Sequence, residues 1–470
     1  MSKKIIVFVL SLVLTLSLTG CGQSQPESQP PKPQNADTKT ELPQYEDHEF
    51  IISGLWAPRD VSEEGFKLYK DAGFTALSFS NHDELPRTSD NQYYIGSNRT
   101  MEALKLCKKV GLDAILGYGD NWYVLEIEGD DYFDGTPFSN YDYYNDYKDI
   151  IKAVKIKDEP SKEHIDKYKS ETLIEDFKKV YPDAQYFMTI TPRHASPTAY
   201  GFGSYDEMLA YYGENILSRF DNSLMEVDFY PFPNEEHREY PRWDDWVITY
   251  EAIAETAKKY NADVSIIMQS SAGLEFAKDL TEADMRFQVN MALAFGAKTL
   301  KYYCYTVPTI QYTYNYCILD PNNKPSALYG YVKDIHKEIQ SYADVILSYK
   351  WDSVIGSNPV GFSSNMDMSK LLLENEFKDT KHFEHVLSST DLVISRFVSE
   401  KYGEAYMLVN YAQKDAKNNV VTVTFKDCSR LALYGGKGFD GTPKIVELDE
   451  EGKYRFEFEY GEGVFVVPMV

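Results

Sequence analysis

Eight short runs rich in β-branched and aromatic residues recur along this 470-residue chain, and they limit the possible folds more than any other feature. They are Phe50–Leu55, Thr75–Phe79, Asp113–Tyr118, Ile151–Lys157, Gln185–Thr191, Leu224–Tyr230, Val264–Gln269 and Thr299–Tyr305. Amphipathic segments with helix start and stop signals separate them. Ser204-Tyr-Asp-Glu207 reads as a capping box, Thr281-Glu-Ala-Asp284 opens a helix that closes near Gly296, and Gly73 and Gly111 sit where helices should end. Strands alternating with helices must pair in parallel, and eight such units predict a closed (β/α)8 TIM barrel. An open doubly wound sheet is the competitor, but no GxGxxG turn supports it. From about Leu392 the pattern changes to runs separated only by turn residues, such as Ala405–Asn410, Val420–Phe425, Lys444–Leu448 and Tyr454–Tyr460. The expected fold is therefore a barrel over residues 46–349, a connecting segment at 350–391, and a small C-terminal all-β, sandwich-like domain at 392–470.

In such a barrel the loops after the strands converge over the axis, so the carboxyl ends of the strands predict the site. They offer Trp56, then Asn81 and His82, then Asp120, Asn121 and Trp122. Asp158 and Glu159 follow the fourth strand, and Arg193 and His194 the fifth. Asp228 and Tyr230 close the sixth, Gln269 the seventh, and Tyr303 and Tyr305 the eighth. Sugars need flat apolar platforms together with many hydrogen-bonding groups, and this rim supplies both. The expected partner is a carbohydrate. A net charge of -25 and scattered basic residues exclude a nucleic-acid surface and disfavour anionic polymers. His82, His194 and His237 lack ligand spacing, so neither a metal nor another cofactor is implied.

The N-terminus carries an export signal. Lys3 and Lys4 precede an apolar stretch from Ile5 to Leu18, and Leu18-Thr19-Gly20-Cys21 follows at once. That stretch is too short for a comfortable membrane span. The four residues resemble a bacterial lipoprotein lipobox, which implies a signal peptide over residues 1–21, lipidation of Cys21 and attachment to the cell membrane or surface. Residues 22–45, rich in Pro, Gln and Ser, read as a tether. Cys107, Cys304, Cys317 and Cys428 show no CxxC spacing; Cys304 with Cys317 is the least distant pair, and buried, unpaired thiols are the expectation.

The stretch "KDEPS", residues 157–161, places two carboxylates where the fourth strand must end. A carboxylic acid that donates a proton near neutral pH needs a raised pKa, which burial and a neighbouring carboxylate provide, so Glu159 is a candidate general acid. The competing reading is a helix start with Asp158 or Ser161 as the cap. The motif resembles the Asn-Glu-Pro of barrel glycoside hydrolases in the large group that includes the family 42 β-galactosidases and the β-glucosidases. "DFYPF" from Asp228 is similar to the sixth-strand D-x-YP of related barrels, and "MALAFGAKTLKYYCYT", residues 291–306, resembles a helix and eighth strand of family-42-like exported proteins. The resemblance covers most of residues 50–345 and implies that Glu159 is the acid/base.

Two positions depart from the family pattern. Asp158 stands where the family has a sugar-binding Asn, and Gln269 stands where it has the nucleophilic Glu. An amide cannot form a glycosyl-enzyme intermediate. Asp228 is the best replacement carboxylate, acting as base or nucleophile, with Asp120 in reserve and Gln269 binding a sugar hydroxyl. Carboxyls roughly 6.5–9.5 Å apart would imply inversion and about 5 Å retention. The rival expectation is a surface lipoprotein that binds glycans on a hydrolase barrel without cutting them.

Overall fold

Every one of the eight runs forms a strand of one closed barrel. They are β1 (Ile51–Gly54), β2 (Ala76–Ser78), β3 (Asp113–Gly117), β4 (Ile151–Asp158), β5 (Gln185–Ile190), β6 (Leu224–Phe229), β7 (Asp263–Gln269) and β8 (Ala297–Tyr303). Each pairs in parallel with the next, and β8 closes on β1 with Ile51 opposite Thr299. The computed structural model describes residues 42–46, 49–56, 58–79, 98–117, 144–232, 243–273, 279–308, 314–359, 368–412 and 419–470.

Helices α1 (Glu63–Asp71), α2 (Asn98–Val110), α3 (Lys162–Tyr168), α4 (Glu171–Val180), α5 (Tyr205–Asn215), α6 (Trp243–Tyr260), α7 (Glu282–Ala294) and α8 (Ala327–Gln340) lie between and after the strands. The start signals act as their chemistry requires. Thr281 and Asp284 form the reciprocal capping box of α7. At α5 the Ser204 hydroxyl accepts from the Glu207 N–H, while the Glu207 carboxylate takes the N–H of Gly203, one residue before the cap. Gly73, Gly111 and Gly296 all have positive φ just after their helices, where a side chain would be strained.

Side chains pointing into the barrel stack in layers. The lowest contains Ile51, Ala76, Ile115, Ala153, Phe187 and Leu224. Above it lies a polar layer in which Glu226 and Lys301, both 0% exposed, form an ion pair of 2.6 Å. Thr189 and Ser265 each donate to Glu226 at 2.7 Å, and the Lys301 ammonium lies 4.1 Å from the Phe187 ring centre. Burial of charge is tolerated only with such complete pairing.

The C-terminal domain is a sandwich of two antiparallel sheets, β10-β13-β16 and β15-β14-β17-β12-β11-β9. The stretch 350–391, expected as a connection, instead supplies β9 (Lys350–Ser357) and β10 (Phe383–Ser388). The remaining strands are β11 (Leu392–Ser399), β12 (Gly403–Asn410), β13 (Val420–Phe425), β14 (Arg430–Tyr434), β15 (Lys444–Glu447), β16 (Lys453–Glu457) and β17 (Gly463–Met469). Strands β11 and β12 of the six-stranded sheet are buried on both faces. Leu392, Ile394, Tyr406 and Leu408 face the small sheet, whereas Val393, Phe397, Met407 and Val409 join the barrel's own core. This is why β12 reads as an almost unbroken apolar run rather than an alternating one. Helices α6 and α7 carry the contact, packing on β9, β11, β12 and β17.

The folded unit begins at Leu42 rather than Glu46. Tyr45, expected in the tether, packs among Tyr349, Tyr402 and Tyr434, with its ring centre 4.8 Å from that of Tyr402. Cys107, Cys304, Cys317 and Cys428 are free thiols, the first three buried and Cys428 half-buried. Among the described residues, no helix is long and apolar enough to cross a membrane and no acidic, His or Cys group of three could hold a metal ion.

Candidate active site

At the carboxyl ends of the strands a cavity of about 320 Å³ opens over the barrel axis. Asp158, Glu159, Asp228, Tyr230, Gln269 and Tyr303 line it, all of them strand-end residues named from the sequence. Alternation explains the set: Glu226 faces inward on β6, so Asp228 does too, and Lys301 on β8 likewise sets Tyr303. Tyr230 and Tyr303 lie with ring centres 5.3 Å apart, and Tyr314 meets Tyr303 edge-on at 6.3 Å, giving an aromatic wall.

Glu159 leaves β4 with φ of +40°, and Trp56 leaves β1 with φ of +58°. Non-glycine residues in this region are strained, and such strain gathers where side-chain direction matters. Pro160 follows, and Ser161 then caps α3 by accepting from the His164 N–H. The helix-start reading of "DEPS" is therefore correct with Ser161 as the cap, and Glu159 stands two residues ahead of that cap, at the cavity. Glu159 is exposed at the cavity mouth, and Tyr200, from the turn after β5, donates to its Oε2 at 3.2 Å. Burial first and the Asp158 charge second raise its pKa.

Asp228 sits deeper. Its Oδ1 is buried and has no hydrogen-bond partner among the described residues, while the carboxyl bonds to the Tyr230 side chain. Burial, then the charges of Glu159 and Asp158, push its pKa well up. Asp158 goes the other way. Burial alone would raise it, but the Lys155 ammonium at 2.7 Å, with Lys157 and Thr189, holds it below the usual carboxylate range. The three carboxyls thus separate: the Lys155 ammonium favours the ionised form of Asp158, whereas burial and neighbouring negative charge favour the protonated forms of Glu159 and Asp228.

Gln269 lines the cavity, and its Oε1 accepts from the Phe232 N–H while its Nε2 donates to the Phe232 carbonyl, both at 3.0 Å. It braces the chain after β6, so its amide has one N–H and one lone pair left over for the cavity. Three expectations need revision. Arg193 is exposed and lines a separate depression with Asp206 and Glu251. Tyr305 is fully buried away from the cavity, edge-on to Tyr69 and Phe74, because β8 ends at Tyr303 and the chain turns. Trp56 packs behind Tyr303 and Tyr314 instead of lining the cavity. Asn81, His82, Asp120, Asn121, Trp122 and Cys21 lie outside the described residues.

Sequence reasoning missed Lys155, Thr189, Tyr200, Ser271 and Tyr314. A signal existed for Lys155: three lysines at 152, 155 and 157 interrupt an otherwise apolar strand, and in a strand enclosed on both faces such a residue must point along the barrel axis. Tyr200 and Tyr314 come from loops, which carry no period to read.

No protein-family model matches the chain, and no curated protein sequence does either. Among solved structures, a GH42 β-galactosidase from G. stearothermophilus superposes with a TM-score of 0.54 at 8% identity, over 89% of this chain and 98% of that one. An α-amylase from Geobacillus thermoleovorans gives 0.49 at 12% identity, over 89% and 97%. A GH30 endoxylanase from Clostridium papyrosolvens gives 0.43 at 10%, over 90% and 97%. At these identities the likeness is one of fold, a (β/α)8 barrel of the kind glycoside hydrolases use.

Proposed function

We propose that this protein is a surface-anchored glycoside hydrolase acting on neutral oligo- or polysaccharides, with Glu159 as general acid and Asp228 as base or nucleophile. The observation that carries this reading is the convergence of Glu159 and Asp228, beside Tyr230 and Tyr303, in one cavity at the catalytic rim of the barrel. A shared proton gives the pair what hydrolysis needs, one acid and one base. Positive charge developing on the sugar ring favours the ionised form of the carboxyl it faces, so the shared proton passes from Asp228 to Glu159, which delivers it to the leaving oxygen. The aromatic wall offers a sugar face a platform.

Turnover of a panel of 4-nitrophenyl glycosides and oligosaccharides tests the reading. Glu159→Gln should lower kcat by roughly 10²- to 10⁴-fold with little change in binding; unchanged turnover in that variant removes the proposal. Anchoring through Cys21 is tested by metabolic labelling with an alkyne fatty acid, which should mark the full-length protein and not the Cys21→Ala variant. A binding-only protein is the second reading, favoured by Gln269, whose amide is committed to the backbone where the family places a nucleophile. Affinity for oligosaccharides with no release of reducing ends would select it.

A further inference from the structure

We propose that Lys155 is a positioning residue that fixes Asp158 as a permanent anion and so confines the mobile proton of the cavity to Glu159 and Asp228. The inference rests on the hydrolase reading and concerns a residue whose ion pair is with Asp158.

Lys155 is 2% exposed, lines the floor of the cavity, and places its Nζ 2.7 Å from Asp158 Oδ1. The sequence makes this contact local: three residues apart, the two side chains meet where β4 ends, with a register shift between Lys155 and Lys157. A third carboxylate next to a working pair is a hazard, because three acids at one cavity would distribute protons among themselves in several ways. An ammonium in hydrogen-bond contact with one of them settles the distribution, since the ionised form of that carboxyl alone gains the pairing. Asp158 then acts as a constant negative neighbour to the other two.

Among the described residues, β4 contributes Lys155 and Lys157 around these carboxyls, the turn after β5 Tyr200, and β6 Glu226, Asp228 and Tyr230. From β8 comes Lys301, beneath, with Tyr303 beside it. Lys301 is already matched by Glu226. Among the described cations, Lys155 is the one paired with Asp158.

The test is a charge cycle. Lys155→Met keeps the bulk of the stem and removes the charge, Asp158→Asn removes the anion and keeps the shape, and the double variant removes a neutral pair. In Lys155→Met, Asp158 stays ionised at neutral pH but the cavity loses its positive charge, and the basic limb of the pH–rate profile should rise by about 1 unit. In Asp158→Asn the limb should fall by about the same amount, because Glu159 loses its negative neighbour. The double variant should return near the wild-type limb. Carboxyl ¹³C titration of the labelled full-length protein reads the same shifts without substrate, and thermal melts confirm folding of each variant. Shifts in the same direction for both single variants, or no shift in Lys155→Met, overturn the proposal. A protein that turns over nothing yet shows the opposed NMR shifts keeps this inference and loses the hydrolase reading.

Discussion

The buried pair of Glu226 and Lys301 allows a quantitative prediction. Glu226→Gln preserves shape and the contacts to Thr189 and Ser265, whose hydroxyls can turn, but leaves the Lys301 ammonium at 0% exposure without its ion-pair partner. Breaking one side of such a pair costs about 3–5 kcal/mol. With an unfolding entropy near 2.1 cal/mol/K per residue over roughly 430 folded residues, or about 0.9 kcal/mol/K, a loss of about 4 kcal/mol lowers Tm by about 4–5 °C. The pH dependence gives the cause away. An unpaired buried lysine has a folded pKa below its unfolded one, so the unfolded state binds more protons and the variant should regain stability as pH rises through the folded pKa. Glu226→Gln with Lys301→Met replaces both ions by neutral groups and should recover all but about 1–2 kcal/mol. Differential scanning calorimetry from pH 6 to 9 measures all three proteins. A single variant melting within about 1 °C of wild type, or a double variant no better than the single, would refute the reasoning.

Two further outcomes follow from buried acids and amides. Glu251, 4% exposed and accepting from the Leu373 N–H, has its pKa raised to about 7 by burial and then by Glu255 and Glu374. Its folded pKa exceeds its unfolded one, so stability is lost as pH climbs toward 7; Glu251→Gln should match wild type near pH 4 and exceed it at pH 8 by up to ~3 kcal/mol, read as a widening Tm gap. Gln269→Leu strands the Phe232 N–H and carbonyl and should cost about 2–4 kcal/mol in urea denaturation, whereas Gln269→Glu, able to donate only when protonated, should be near wild type at pH 4 and destabilised at pH 8.

Much of this molecule is legible in its sequence because a closed barrel repeats one unit, and each strand end announces itself by where its apolar run stops. Asp228 and Tyr303 follow from strand parity. Tyr305 did not, since alternation ceases to apply once a strand ends, and a Tyr serves equally well in a core as on a wall. Arg193 failed for a related reason: the chain after β5 turns outward within three residues of the strand end. The β9 strand was hidden because a strand buried on both faces has no alternation, and β10 because its exposed side dilutes the apolar signal. Lys155 was overlooked because a lysine in a strand is ordinarily read as solvent-facing, which a sheet closed on itself does not permit.

The sheet sandwiched between barrel and outer strands divides the cavity mouth into unequal halves. Asp228, Gln269 and Tyr303 stand on strands whose outer helices are themselves clamped by a second layer, whereas Glu159 stands on a strand backed by ordinary surface helices. Substitution on the Glu159 side of the cleft disturbs one core, but a change behind the opposite side must satisfy two cores together. Divergence in what this scaffold accepts should therefore have accumulated around Glu159, with the opposing wall kept nearly fixed.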